Sequence, residues 1–82
     1  MPAGHYHFHC TDGEDAVLDL SGNDLRTRDD VHAAAARAAR AVMEGCGSRL
    51  DWSDWIVDVH DSRGRHVLTL AFDDADTVRQ AA

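Results

Sequence analysis

Alternation dominates both ends of the chain. In His5-Tyr6-His7-Phe8-His9 every second position carries an imidazole, and Tyr6, Phe8 and Cys10 occupy the positions between. Side chains of a strand alternate between two faces, so the pattern predicts a β-strand with an aromatic inner face and a histidine outer face. Near the C-terminal end, Trp55, Val57 and Val59 alternate, then Asp61-Ser62-Arg63-Gly64 turns the chain, and Leu68, Leu70 and Phe72 alternate in turn. After the first strand, Asp12-Gly13-Glu14-Asp15 supplies another turn, and residues 16–20 are predicted to return as a second strand.

Between these pairs the period changes. Val31, Ala34, Ala35, Ala38 and Val42 recur at steps of three and four, predicting a helix over 30–44 with Arg37, Arg40 and Glu44 in solvent. Thr27 stands three residues before Asp30, a shortened capping box, and Asp29 and Asp30 place negative charge at the positive end of the helix. Gly45 is the expected stop. Residues 21–29 read as a polar loop, and 73–82 as a tail, flexible or in a short helix.

The expected fold is therefore α+β: a single domain over 1–82 in which two β-hairpins are joined by one helix (ββαββ), forming a four-stranded, mainly antiparallel sheet covered by the helix on one face. An alanine stripe lets the helix approach closely but adds little apolar area. The core is thus assigned to Tyr6, Phe8, Leu18, Leu20, Trp55, Val57, Val59, Leu68, Leu70 and Phe72, with Cys10 as a small buried hydrophobe. His66 is in phase with Leu68 on that inner face. The other face collects His5, His7, His9, Val17, Asp19, Ile56, Asp58, His60, Val67, Thr69 and Ala71. Its apolar members would form a patch in water, which predicts a homodimer through the outer face or through an edge strand.

Composition narrows the classes. The 82-residue chain has a formal charge of −7, with 15 acidic residues against 8 basic ones. Such a field repels phosphate backbones and anionic lipid heads, so neither nucleic acid nor membrane is expected as a partner. No apolar run approaches membrane-spanning length and the opening lacks a secretory pattern, so a cytoplasmic location is expected. The 2 cysteines, Cys10 and Cys46, lack zinc-finger spacing and are expected as inert thiols.

The candidate chemistry is sparse. Alternate imidazoles on one strand face can converge on a zinc-, nickel- or copper-type ion, which makes His5, His7 and His9 the candidate metal ligands, with a fourth from Asp19, Asp58, His60 or water. No other cofactor is indicated. His9 and Cys10 point to opposite faces and cannot act as a base and thiol pair. Asp12, Asp15 and Asp61 read as turn residues. Asp19-x-Ser21-x-Asn23 lacks the glycine and glutamate of a calcium loop. Trp52 is a candidate rim contact and Trp55 a core anchor.

The succession Phe8-His9-x-x-Asp12-Gly13, Asp19-x-x-Gly22, an Ala-rich helix, Trp55-x-Val57-x-Val59-x-Asp61-x-x-Gly64 and Leu68-x-Leu70-x-Phe72 resembles a family of short, single-domain proteobacterial proteins of unknown function. The resemblance covers roughly residues 5–72 and implies a fold without implying catalytic residues. The family's usual opening resembles Arg-Tyr-Phe-Phe-His, so His9 matches it while His5 and His7 are particular to this chain. The function expected from all this is a non-enzymatic, self-associating interaction or accessory module. A transition-metal-binding or sensing protein using His5, His7 and His9 is the alternative, and a small enzyme comes after both.

Overall fold

A computed structural model of the chain describes residues 4–46 and 52–75. Its elements are β1 (Gly4–Thr11), β2 (Ala16–Val17), β3 (Asn23–Leu25), α1 (Arg28–Cys46), β4 (Ile56–Asp61) and β5 (His66–Ala71), followed by a 3-10 turn at Phe72–Asp74. The strands form one antiparallel sheet in the order β2-β1-β4-β5, with β3 also paired to β1. The architecture is α+β as the patterns predict, with α1 packed on one face.

The helix starts where its cap places it. The Thr27 hydroxyl accepts the Asp30 N–H at 3.0 Å, and the Thr27 carbonyl accepts the Val31 N–H at 3.1 Å. Val31, Ala34, Ala35, Ala36 and Ala39 are buried, while Ala38, Val42 and Met43 pack half-buried beside them. Alanine's small volume brings the helix close enough for Phe8, Cys10, Val57, Val59, Leu68 and Leu70 to fill the interface from the sheet side. Arg37 and Glu44 are exposed as expected, but Arg40 is half-buried and donates to the Ala75 carbonyl at 3.4 Å. The expected stop at Gly45 does not end the helix, which runs on to Cys46. The expectation for the Cys46 thiol, and most of the 73–82 tail, lie outside the described residues.

Three expectations about the sheet need correction. The second strand does not extend over 16–20: it ends at Val17, and Leu18 and Leu20 are 61% and 84% exposed instead of lying in the core. The polar loop over 21–29 contains a strand, β3, which makes the sheet five-stranded. Alternation alone cannot detect a three-residue strand whose partner supplies the order. The third concerns β5. Val59 pairs with Leu68 but His60 pairs with His66, so a bulge passes over Val67. One extra residue inverts the facing of everything before it. Val67 packs against the core, and His66 stands on the outer face beside His60.

Trp52 and Trp55 do not divide into rim and anchor. Both are half-buried and share a cluster with Phe72, with ring centroids 5.4 to 5.7 Å apart. Phe72 donates its N–H to the Trp55 carbonyl at 3.0 Å, fixing the end of the sheet.

The contrast between the true core and the projecting leucines is measurable. Phe8→Ala is expected to cost about 3–5 kcal/mol, a large share of the stability of so small a domain, whereas Leu20→Ala should change it by less than about 0.5 kcal/mol. Urea unfolding of both variants checks this, and a large loss in Leu20→Ala would place that side chain in the interior.

Candidate functional site

The outer face of the sheet carries an unbroken row of imidazoles. Centroids of neighbouring rings lie 5.1 Å apart for His5 and His7, 6.1 Å for His7 and His9, 5.8 Å for His9 and His60, and 5.8 Å for His60 and His66. Register explains the continuity. His7 is opposite His60, His9 is opposite Asp58, and the bulge delivers His66 to His60. Asp58 serves the far end, with its Oδ1 3.1 Å from His66 Nε2 and its Oδ2 3.9 Å from His60 Nε2. Thr69 joins this group through its hydroxyl, 2.8 Å from His66 Nε2 and 3.3 Å from Asp58 Oδ1.

The three strand histidines named as candidate ligands are brought together, but their nitrogens are engaged by the loop at 18–22 and by β3. His5 Nδ1 lies 2.7 Å from Asp24 Oδ1, and its Nε2 2.7 Å from the Ser21 carbonyl. His7 Nδ1 donates to the Asp19 carbonyl at 2.8 Å. His9 Nδ1 accepts the Asp19 N–H at 3.0 Å. Among the described residues, no three His, Cys, Asp or Glu side chains are arranged to close on one ion.

Asp19 is the residue whose importance the alternation hides. On that side β1 pairs with β3 at Gly4 to Tyr6 and with β2 at Cys10 and Thr11, leaving 7–9 without a strand partner. The Asp19 carboxylate enters this gap. Its Oδ2 accepts the Phe8 N–H at 3.1 Å and its Oδ1 accepts the Gly22 N–H at 3.0 Å. Burial pushes the carboxyl up, but the N–H bonds from Gly22 and Phe8, with His7 and His9 nearby, outweigh it and hold Asp19 below the ordinary carboxylate value. Gly22 completes the turn at φ 71°, where a Cβ would lie 2.6 Å from both His5 Nε2 and the Tyr6 carbonyl. The Asp19-x-x-Gly22 spacing is thus a backbone clamp. The signal available in the sequence was that spacing, not periodicity.

The turn carboxylates behave as expected at two positions. Asp12 Oδ1 accepts the N–H groups of Asp15 and Glu14 at 2.8 and 2.9 Å, which lowers its pKa. Asp61 accepts the N–H groups of Arg65 and Arg63, each at 2.9 Å, and pairs with the Arg65 guanidinium at 3.0 Å; the Arg65 N–H is the foremost cause of its lowered pKa, with burial opposing. Asp15 takes part through its carbonyl, which accepts from the Thr11 hydroxyl at 2.7 Å. Burial, then the charge of Asp19, pushes the Cys10 thiol up to about 11, so it stays protonated and unreactive at neutral pH.

Concavities are open and shallow. One of about 340 Å³ lies on the outer face among His7, His9, Asp19, Leu20 and His60. Another of about 360 Å³ runs between β2 and α1, with Val17, Leu18, Arg37, Ala38 and Val42 along it. Among the described residues, no helix is long and apolar enough to cross a membrane.

These features define a small α+β domain whose sheet shows a histidine face on one side and an alanine helix on the other. Over residues 5–73 the chain matches the family described as Domain of unknown function (DUF6894), and it belongs to that family. No curated protein and no solved structure matches it.

Two outcomes test the clamp. Asp19→Ala leaves the Phe8 and Gly22 N–H groups without their carboxylate and is expected to cost about 1–3 kcal/mol for each N–H left unpaired, read by urea unfolding. The lowered pKa values of Asp12, Asp19 and Asp61 set the sign of the acid response. Their contribution is complete above the ordinary carboxylate value of about 4 and is lost as pH falls through the lower values of the folded state. Denaturation midpoints that fall as pH drops below about 4 are expected, with a smaller fall in Asp19→Asn.

Proposed function

We propose that the domain is a non-enzymatic interaction module that associates with a second copy of itself through the surface built on loop 18–22. The observation that carries this reading is the presentation of Leu18 and Leu20. These flank Asp19, whose backbone and carboxylate are all hydrogen-bonded, so the leucines stand in water on an anchored loop. An apolar side chain on a mobile loop needs no partner, but two on a pinned one form a preorganised contact, which lowers the entropy lost on binding.

Val17, 48% exposed, lies with Leu18 along the groove that Ala38 and Val42 continue on α1, while Leu20 lines the concavity beside His7, His9 and His60. A second copy suits the energetics. An alanine-lined helix leaves the core thin, and an isologous interface covering Leu18 and Leu20 twice adds the apolar burial that the fold lacks. The open concavities and the protonated, buried Cys10 support a binding role over a catalytic one.

Sedimentation analysis of the untagged chain over a wide concentration range tests the proposal. A dimer is expected, and Leu18→Asp with Leu20→Asp should return it to a monomer whose unfolding midpoint equals that of the native chain at concentrations where that chain is itself monomeric. A monomer at all concentrations, or a dimer unaffected by these substitutions and disrupted by changes in β5, would refute it.

A further inference from the structure

The groove between β2 and α1 reaches the core. Its floor is Phe8, Cys10 and Ala34, each at most 5% exposed, with Leu18 on one lip and Ala38 and Val42 along the helix on the other. Two local facts keep it open. β2 stops after 2 residues, and the helix meets the gap with alanine at 34 and 38, where a larger side chain would have filled it. A cleft with the core at its base and an exposed leucine on its lip accepts an apolar knob of the same kind.

The helix also supplies a charged rim. Arg37, which lines the groove, and Glu44 stand two turns apart, about 10.5 Å along the axis, on one side of α1 with Ala41 between them. Both are exposed, and within the described residues neither has a hydrogen-bond or ion partner. A free cation and a free anion on one rim are self-complementary. When the same rim is turned end for end, each charge meets its opposite, so a second copy satisfies both charges and does so twice. A parallel copy or an anionic ligand would instead set like charges together. Asp30 lies two turns before Arg37, but the groove walls Ala38 and Val42 fall between Arg37 and Glu44, which fixes the centre of the contact there.

We propose that two copies pack groove to groove with their α1 helices antiparallel, Arg37 of each opposite Glu44 of the other, and Leu18 of each entering the cleft of the other. This rests on the self-association proposed above and gives it an orientation and a register. Ala38 and Ala41 let the helices approach to about 8 Å, the near end of helix-pair spacing, where the long side chains of Arg37 and Glu44 span the join. The formal charge of −7 on each chain opposes the approach of two copies, so the face that brings opposite charges together is the one favoured. A single exposed ion pair contributes little. Reversing one residue in a twofold contact, however, turns two attractions into two repulsions.

Charge reversal tests the register, read as the dissociation constant from sedimentation of the untagged chain at low salt. Arg37→Glu and Glu44→Arg should each weaken self-association by roughly tenfold. Mixed in equal amounts, the two variants should bind each other about as tightly as the native chain binds itself, and so should copies of the double variant Arg37→Glu with Glu44→Arg. Mixing cannot mend a damaged helix, so recovery in the mixture is specific to opposed charges. A native dimer that Leu18→Asp with Leu20→Asp dissolves, but that both charge reversals leave intact or that mixing fails to restore, overturns the antiparallel contact and leaves the leucine-mediated association standing. Recovery of Arg37→Glu by Asp30→Arg in place of Glu44→Arg also overturns it. A chain that is monomeric at every concentration overturns both readings.

Discussion

One carboxylate substitutes for a missing length of strand. The central strand β1 is covered on its outer side by two short pieces, β2 and β3, that leave residues 7–9 between them. An unpaired N–H at Phe8 beside the core would carry the cost of a lost hydrogen bond. Asp19 removes that cost by accepting the Phe8 N–H, and in the same act accepts the Gly22 N–H that turns the chain into β3. The route of the chain from β2 to β3, the place of the leucines and the contacts of three histidine rings all depend on this bridge. Glycine at position 22 is its complement, since both its φ and the closeness of His5 and Tyr6 exclude a side chain.

What the sequence revealed and what it concealed divide along the range of the interactions. Facing in β1, β4 and most of β5 follows from alternation, and burial of Tyr6, Phe8, Val57, Val59, Leu68 and Leu70 agrees with it. The helix and its Thr27 cap follow from local spacing. Leu18 and Leu20 are apolar yet lie outside the core, because the position of their loop is decided by polar bonds made to residues ten or more positions away. His66 departs from the alternation because a bulge changes parity without leaving a mark in hydropathy. The histidine row was legible as far as His9. Its continuation through His60 to His66 depends on strand order and register, which a single sequence does not encode locally.

The histidine face also shows why residue type alone underdetermines chemistry. Three imidazoles on alternate positions of one strand suggest ligands, yet each ring here has a nitrogen committed to a neighbouring segment, and His5 has both. The side chains act as linkers between β1 and the chain that crosses beside it. An imidazole suits that position because one planar ring offers a donor and an acceptor on opposite sides, and can exchange them.

The two borders of the sheet are unlike each other. On one, the pieces at Ala16–Val17 and Asn23–Leu25 are too short to template a further strand, and the Asp19 carboxylate interrupts them. On the other, His66–Ala71 is the last strand of the sheet among the described residues. The carboxylate that seats the loop thus also breaks the border it lies on, so a further strand meets no continuous row of free backbone groups there.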